Sequence, residues 1–314
     1  MLLRYLAARW RYGKGAAGGR FLRSGLSLEA RGRDLGDSWA PHHEQSRAAQ
    51  RRWAESLAPA GIDLAVLGAG RLADFDRATF ETRFQRWLLI DADPSCQAYW
   101  LGLGVREVEG RIGDLTGVMD SWLARLAHIR GDWRQTLAGI GDITAPGDQP
   151  MAFAADAVLS LNVLSQLPIA WQDGVEAHLK RRFGTRQTQD KEEEWLASVD
   201  AGGRWIVRQH LDALGRARAA GILLLTDLEY AEYRGGPAPT WQNGEWRAEK
   251  GLRVDVFPAL YGVEPAVPGY RLCWHESWLW HISPIDRESR EYGTVHRVGA
   301  FAFIPRDHPP PARR

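Results

Sequence analysis

The sequence predicts an α/β fold in which a doubly wound, mostly parallel sheet ends in an antiparallel strand pair and is preceded by an N-terminal helical extension. Three observations predict it. Short apolar runs alternate with segments of helical spacing over residues 62–230, as in parallel strands joined by crossover helices. A glycine turn follows the first apolar run. After Tyr230 the chain becomes rich in Gly, Pro and Trp, and two long strand-like stretches follow.

The individual strands and helices are predicted from the apolar runs taken in order. The first strand, IDLAVLGAG at residues 62–70, is almost wholly apolar, which is typical of a strand buried on both faces. Helical spacing at Leu72, Phe75 and Phe84 predicts that a helix follows the glycine turn directly. The same reasoning predicts strands in RWLLIDADP, VREVEGRIGDLTG, AADAVLSLNVLSQLP and ILLLTDLEY, and helices in SCQAYWLGLG, over residues 118–140 and in GRWIVRQHLDALGRARAAG.

The region after the fifth strand is predicted to form a short hairpin and then a strand pair. QNGE has the residues of a two-residue hairpin turn, and the paired strands are YRLCWHESWLWHIS and HRVGAFAFIP. Strand alternation places Trp278 on one face, and His275 and His281 on the other. Because these histidines are separated by about 20 Å, at roughly 3.3 Å per residue, they cannot ligate one ion, and no metal site is predicted.

The domain organisation follows from changes in composition along the chain. Residues 1–28 contain several arginines and no acid, and we expect them to be loosely docked. Residues 172–203, the first of two insertions in the main domain, are expected to form either a cap or a solvated helical excursion. The predicted parts are an N-terminal arm and helical extension, residues 1–58; a main domain, residues 59–305, with insertions at about 172–203 and 231–270; and a flexible tail, residues 306–314.

The composition excludes several classes of protein. The 314 residues carry a formal net charge of +1, which argues against a nucleic-acid binder that relies on a positive field. Two distant cysteines, Cys96 and Cys273, form no disulfide framework or zinc signature, so we expect a cytoplasmic protein. No apolar run approaches the roughly 20 residues that cross a bilayer, so no membrane association is predicted.

The glycine turn and two acids are the strongest signs of a binding site. Gly68 and Gly70 permit backbone angles closed to other residues and leave room for a ligand. Asp91 ends the second strand, where a carboxylate can accept hydrogen bonds from ribose hydroxyls. Asp114 ends the third strand and can accept from an exocyclic amine. Each acid alone is equally well explained as a helix cap, but the three sites in order predict a nucleoside-binding edge.

The order VLGAGRLADF, LLIDADP, GDLTGV, ADAVLSLNVLSQLP and GILLLTDLEY, followed by a terminal strand pair, resembles the class I S-adenosylmethionine-dependent methyltransferases. The resemblance covers roughly residues 60–305 and implies a seven-stranded, Rossmann-like sheet. It implies that the glycine loop cradles the methionine part of S-adenosylmethionine, that Asp91 holds the ribose, that Asp114 lies by the adenine, and that the loop after the fourth strand borders the methyl group. The implied cofactor-binding residues are Gly68, Ala69, Gly70, Asp91, Ala92, Asp114, Leu115 and Asn162.

The loop after the fourth strand departs from one pattern of that family. It does not carry the NPPY-like or DPPY-like signature of amino-group methylation on bases or glutamine, so adenine or cytosine methylation loses support. The segment SLNVLSQLP resembles a bacterial subgroup of these methyltransferases, but this resemblance indicates no substrate. We therefore expect a small-molecule acceptor, with nucleic acid disfavoured and the oligomeric state left open.

The implied reaction is direct displacement at the sulfonium methyl, which depends on alignment of the acceptor and exclusion of water. A hydroxyl or ammonium acceptor also needs a base. The predicted catalytic residues are Asn162, which can orient but not deprotonate, and Asp227 and Glu229, which can deprotonate. In the segment PHHEQSR, His42 or His43 can line the site or cap a helix. The predicted substrate-binding residues are His43, Ser165, Gln166, Tyr230 and Trp278.

Two other functions stay open from the sequence. The first is a non-catalytic S-adenosylmethionine-binding or assembly subunit of the same fold. The second is an NAD(P)- or flavin-dependent oxidoreductase, because GAGRLA fits G-x-G-x-x-A and Asp91 would again bind a ribose. Against the second, none of the four lysines has a tyrosine four residues before it, so the Y-x-x-x-K pair of short-chain dehydrogenases is missing.

Overall fold

A computed structural model describes residues 16–57, 63–104, 107–143 and 153–307. The start of the arm, the end of the tail and the first residue of the predicted first strand lie outside the described residues. The described helices are α1 (Ala16–Asp34), α2 (Gly36–Ser56), α3 (Arg77–Glu81), α4 (Cys96–Leu101), α5 (Met119–Leu126), α6 (Trp133–Ile143), α7 (Ile169–Phe183), α8 (Thr185–Asp190) and α9 (Glu192–Arg216). The described strands are β1 (Asp63–Leu67), β2 (Arg86–Asp91), β3 (Glu107–Ile112), β4 (Ala157–Leu161), β5 (Gly221–Arg234), β6 (Thr240–Gln242), β7 (Glu245–Arg247), β8 (Arg253–Pro258), β9 (Tyr270–Ser283) and β10 (Tyr292–Pro305).

The main sheet has the predicted architecture. Seven strands lie in the order β3-β2-β1-β4-β5-β10-β9. Strands β1 to β5 pair in parallel, and β10 lies antiparallel between β5 and β9. All five residues of β4 are buried, as expected of a central parallel strand. The prediction of a doubly wound, mostly parallel sheet with a terminal antiparallel pair is confirmed.

An eighth strand joins the sheet where the sequence did not indicate one. Strand β8 pairs antiparallel with residues 229–234 of β5, the part of β5 that extends beyond β4. The predicted QNGE hairpin forms β6 and β7. Its central residues, Asn243 and Gly244, have φ values of 53° and 81°, as a type I′ turn requires.

The strand order reverses between β1 and β4. From β1 the chain adds β2 and β3 on one side, then returns to add β4 and β5 on the other. The crossover helices therefore leave a crevice at the carboxyl ends of β1 and β4, where open α/β sheets bind ligands.

Helices cover both faces of the sheet. Trp53 of α2 packs with Leu64 and Val66 on one face, and Leu211 and Leu214 of α9 pack on the other. The first insertion is neither loose nor solvated throughout, since α7, α8 and α9 run through it. Its helices share a third core with α5 and α6 that includes Trp122, Trp171, Val175, Leu179, Trp195 and Val199.

The prediction that a helix follows the glycine turn directly is wrong. Leu72 has a φ of 56°, in the left-handed region, so the chain turns again instead of entering a helix. Only α3, five residues long, forms in this segment, and the side chain of Asp76 accepts a hydrogen bond from the Thr79 amide at its start. Phe75 and Phe84 still reach the core, which explains their helix-like spacing.

The described part of the N-terminal arm docks on the domain. Leu22 of α1 is fully buried. Arg31 forms two 2.6 Å contacts with the Glu288 carboxylate in the β9–β10 loop, and Glu29 lies 3.0 Å from Arg71 beside the glycine loop. Gly25 lies so close to Asp93 that a Cβ there would be 1.8 Å from its Oδ2. Helix α1 therefore covers the loop that follows β2, against the expectation of a loosely docked arm.

Candidate functional site

The glycine loop and the end of β2 are joined through the Asp91 carboxylate. Its Oδ2 accepts a 2.8 Å hydrogen bond from the Gly70 amide and its Oδ1 a 2.8 Å bond from the Asp93 amide. The amides of Gly68 and Ala69 bond to the Ile90 carbonyl. Burial raises the pKa of Asp91, and the two amide bonds oppose that shift. The carboxylate thus fixes the glycine loop at the edge of the crevice.

The two glycines serve different purposes. Gly68 has a φ of 72°, and a Cβ there would be 2.5 Å from the Cβ of Val163 and 2.9 Å from the Leu161 carbonyl oxygen. It is therefore needed for close packing against the exit of β4. Gly70 has a φ of 48°, and its hypothetical Cβ would meet only Asp91 Oδ2, at 3.9 Å. The space in front of Gly70 is open, as a loop that contacts a ligand requires.

The predicted adenine-side residues lie at the end of β3. Asp114 accepts hydrogen bonds from the amides of Thr116 and Met119 and from the Thr116 hydroxyl, at 2.6–2.9 Å. Its bond to the Met119 amide satisfies a donor of the first residue of α5, whose N-cap is Val118. Leu115 is buried in the core and Ala92 is half-buried beside Asp91. Whether Asp114 also contacts a ligand stays a prediction.

Asn162 lies at the carboxyl end of β4 in a strained conformation. Its φ is 49°, a left-handed value that asparagine tolerates better than most residues. Its Nδ2 donates a 2.5 Å hydrogen bond to Asp74 Oδ2 and lies 3.5 Å from His42 Nε2. The Oδ1 atom is buried without a hydrogen-bond partner. An unpaired buried acceptor costs about 1–3 kcal/mol, which marks this loop as a candidate for function.

His42 of α2 is held in the same cluster. Trp278 Nε1 donates a 3.1 Å hydrogen bond to His42 Nδ1, and the ring of Trp280 stacks on the imidazole at 4.1 Å. Because indole N–H is only a donor, Nδ1 must be unprotonated and the proton lies on Nε2. Burial lowers the pKa of His42 to about 4, against the attraction of Asp74. His42 is therefore neutral near pH 7.

A second cluster stands beside the first at the carboxyl end of β5. Ser165 Oγ donates a 2.9 Å hydrogen bond to Asp227 Oδ2, and His296 Nδ1 of β10 lies 3.2 Å from Asp227 Oδ1. This contact is an ion pair when His296 is protonated. Burial opposes ionisation of Asp227, but His296, the Ser165 hydroxyl and His42 together lower its pKa. Asp227 is therefore a buried, ionised carboxylate.

Glu229 lies outside this cluster. A bulge places Asp227 opposite Val298 and Glu229 opposite Arg297, so Leu228 is an extra residue in β5. Glu229 consequently faces away from Asp227 and accepts hydrogen bonds from Arg297 Nε at 3.0 Å and Trp246 Nε1 at 3.1 Å. The structure separates the two carboxylates that the sequence predicted as bases.

The remaining predicted substrate-binding residues lie at different distances from the two clusters. Tyr230 contacts His296, with ring centroids 5.7 Å apart, and Trp278 contacts His42 as described. His43 is half-buried beside His42, with ring centroids 5.7 Å apart. Gln166 is exposed.

Sequence reasoning missed Asp74 and did not select His42, Trp280 or His296 among the site residues. Asp74 follows the glycine turn, and Trp280 and His296 come from the distant terminal strands. His42 was an open alternative to His43. Only the segment PHHEQSR and the tryptophan-rich strand gave any signal, because the contacts join residues far apart in the sequence. Within the residues that the structure describes, no three His, Cys, Asp or Glu side chains are placed to hold a metal ion.

The fold is that of an open α/β protein, and the candidate site lies at the switch point of its sheet. No protein-family model matches the sequence, and no curated protein sequence does either. Three similar solved structures are described as a DhpI complex with SAH, a study of the conversion of a disulfide bond into a thioacetal group during echinomycin biosynthesis, and CalS10 bound to SAM, an amino pentose methyltransferase of Micromonospora echinaspora.

These structures are similar over most of the chain but only loosely. The identities are 13%, 11% and 14%, and the TM-scores are 0.34, 0.34 and 0.27. The matches cover 94%, 78% and 86% of this chain, and 100%, 75% and 96% of the other chains. None of the described helices is long and apolar enough to span a membrane.

Proposed function

We propose that this protein transfers the methyl group of S-adenosylmethionine to a small-molecule acceptor. The observation that carries the proposal is the junction at the switch point. An Asp91 carboxylate bonded to the Gly70 amide, with open space in front of Gly70, lies at the edge where buried Asn162 and Asp227 and half-buried His296 also gather. A nucleoside site and a cluster able to handle a proton thus share one crevice.

The cofactor side rests on the loops after β1, β2 and β3. Asp91 would accept hydrogen bonds from the ribose hydroxyls, with Ala92 beside it, and the loop Gly68–Gly70 would hold the methionine part. Asp114 and Leu115 would flank the adenine. Bound S-adenosylmethionine supplies an electrophilic methyl group on a positively charged sulfur. The Gly70 position fits this group, because a side chain there would fill the open space.

The acceptor side rests on the ends of β4, β5 and β10. Asn162 would orient the acceptor beside the methyl group through its unpaired Oδ1. His296 would take a proton on Nε2, the ring nitrogen on the far side from Asp227, and the Asp227 carboxylate would stabilise the resulting imidazolium. Ser165 keeps the carboxylate in position. Tyr230 and Trp278 would border the acceptor.

The oxidoreductase alternative is less well supported by the glycine loop. A dinucleotide-binding loop leads directly into a helix whose N-terminus receives the pyrophosphate. Here the chain turns at Leu72, and α3 begins only at Arg77 and is five residues long. Among the helices that the structure describes, none therefore begins directly after Gly70 to receive a pyrophosphate.

Isothermal titration of the full chain with S-adenosylmethionine, S-adenosylhomocysteine and NADH tests the proposal. We expect the first two to bind and NADH not to bind. Asp91→Asn should weaken the binding of S-adenosylmethionine and of S-adenosylhomocysteine by about tenfold or more, because the ribose hydroxyls lose a charged hydrogen-bond acceptor. Asp63→Asn, at the amino end of β1, is the matched control and should leave both affinities unchanged. Tight binding of NADH alone would contradict the proposal.

Binding does not separate an enzyme from an inactive relative. A second experiment measures transfer of a labelled methyl group to fractions of a small-molecule extract. We expect labelled product with the natural chain and much less with Asp227→Asn. Binding of the cofactor without transfer to any fraction would favour the non-catalytic alternative.

A further inference from the structure

We infer that the acceptor is an amine that enters the site as a protonated ammonium group and is methylated on nitrogen. This inference rests on the proposed function, and concerns the cluster at the ends of β4, β5 and β10. The observations are a buried acceptor oxygen without a hydrogen bond, on Asn162, and two carboxylates, Asp74 and Asp227, for which the described residues supply histidine but no lysine or arginine as an ion-pair partner.

The unpaired oxygen is Asn162 Oδ1, whereas Asp227 Oδ1 lies 3.2 Å from His296 Nδ1. Asn162 is only 8% exposed. Its side-chain amide is held in this orientation, because Nδ2 donates a 2.5 Å hydrogen bond to Asp74. A buried acceptor oxygen favours an incoming group that donates a hydrogen bond. An ammonium group donates three, whereas a carboxylate or phosphate acceptor offers none.

The charges around these oxygens favour a cation. Asp74 and Asp227 lie in the cluster, and no Lys or Arg side chain of the described residues forms an ion pair with either. The histidine between them, His42, is neutral near pH 7. Arg297, the nearest arginine in sequence to His296, is paired with Glu229 on the opposite face. An anionic acceptor would meet net negative charge here, and a cationic one would offset it.

The aromatic side chains around the cluster favour a ring or other apolar body next to the amine. Tyr230 and Trp280 contact His296, and Trp278 contacts His42. Such rings bury apolar surface and attract a neighbouring cation.

The chemical step balances with the groups present. The bound ammonium gives one proton to His296 Nε2, which leaves a lone pair on nitrogen. That pair forms the nitrogen–carbon bond, the carbon–sulfur bond breaks, and its electrons stay on sulfur to give a neutral thioether. The proton leaves His296 for solvent after product release. No oxidant or reductant is needed.

Three compounds with the same ring test the class of acceptor: benzylamine, benzyl alcohol and benzoate. Each is titrated into protein saturated with S-adenosylhomocysteine, and each is incubated with methyl-labelled S-adenosylmethionine, with the product identified by mass spectrometry. We expect benzylamine to bind at least tenfold more tightly than benzyl alcohol, benzoate not to bind, and methylated product to be N-methylbenzylamine.

The variant Asp227→Asn should abolish the preference for the amine, and Glu232→Gln, an exposed carboxylate on the same strand, should keep it. Equal or tighter binding of the alcohol or benzoate, methylation on oxygen, or no binding of any of the three compounds would overturn the inference. In all these outcomes the proposed function stands if S-adenosylmethionine binds and its labelled methyl group is transferred to a fraction of the small-molecule extract. If neither S-adenosylmethionine nor S-adenosylhomocysteine binds, the proposed function itself fails.

Discussion

Asp227 and Glu229, two residues apart on β5, face opposite sides of the sheet. In a regular strand such residues share a face. Here Leu228 is inserted as a bulge, so Asp227 lies opposite Val298 in the buried cluster while Glu229 lies opposite Arg297 and is paired with it. The bulge thus places Asp227, and not Glu229, beside Ser165 and His296.

Exchange of each carboxylate for its amide tests this separation. We expect Asp227→Asn to lower kcat for methyl transfer by about 100-fold or more, since a positioned proton acceptor and its partner contribute 10²–10⁴-fold, roughly. Glu229→Gln should change kcat by less than about threefold, because it removes only a partly exposed ion pair. Initial rates at saturating cofactor measure both. The reverse order would identify Glu229 as the base.

Replacement of the two loop glycines by alanine should have different effects, one mainly on stability and the other mainly on cofactor binding. Gly68→Ala should lower the free energy of unfolding by about 2–4 kcal/mol, because the methyl group meets Val163 and the Leu161 carbonyl at a strained φ. Gly70→Ala should lower the free energy of unfolding by only about 1–2 kcal/mol. It should weaken the binding of S-adenosylmethionine by roughly tenfold or more. Urea unfolding and titration calorimetry separate the effects. An unaltered affinity in Gly70→Ala would show that no ligand occupies that space.

Burial of neutral His42 should make the fold sensitive to acid. Its pKa is about 4 in the folded protein and 6.5 when unfolded, so below pH 6.5 the unfolded chain binds a proton that the folded chain does not. Stability therefore falls as the pH falls from 6.5 to 4, by about 3 kcal/mol from this residue. His210, whose pKa burial also lowers to about 4, adds a similar loss.

A comparison with His42→Gln isolates the contribution of His42, because His210 is present in both proteins. We expect the free energy of unfolding of the natural chain to fall by about 3 kcal/mol more than that of the variant between pH 7 and pH 4. Urea unfolding at several pH values measures it. Parallel curves would show that His42 is not buried as a neutral side chain.

The close approach of α1 to the loop after β2 predicts a specific sensitivity to side-chain size. Gly25→Leu should displace α1, because Asp93 occupies the space, and expose the helix to trypsin after Arg31 or Arg33. Gly36→Leu is the matched control, since nothing lies within 4 Å of a Cβ there. We expect faster cleavage in the first variant only, together with faster dissociation of S-adenosylhomocysteine. Equal cleavage rates would mean that α1 does not depend on this contact.

The strand order and the glycine loop could be predicted because they depend on local patterns. Apolar runs such as β1 and β4 are buried on both faces, and Gly68 needs a conformation that few residues adopt. The acceptor cluster could not be predicted in full. The one-residue bulge at Leu228 turns Glu229 to the opposite face of the sheet from Asp227, and the spacing of apolar residues in the sequence does not indicate it. His296 reaches Asp227 only because β10 lies between β5 and β9.

A crystal structure of the protein with S-adenosylhomocysteine would show whether the cofactor occupies this crevice. We expect density for the ligand at the carboxyl ends of β1 and β4, with the ribose hydroxyls on Asp91 and the sulfur facing Asn162. Density elsewhere, or an empty crevice at a ligand concentration that saturates binding in solution, would contradict it.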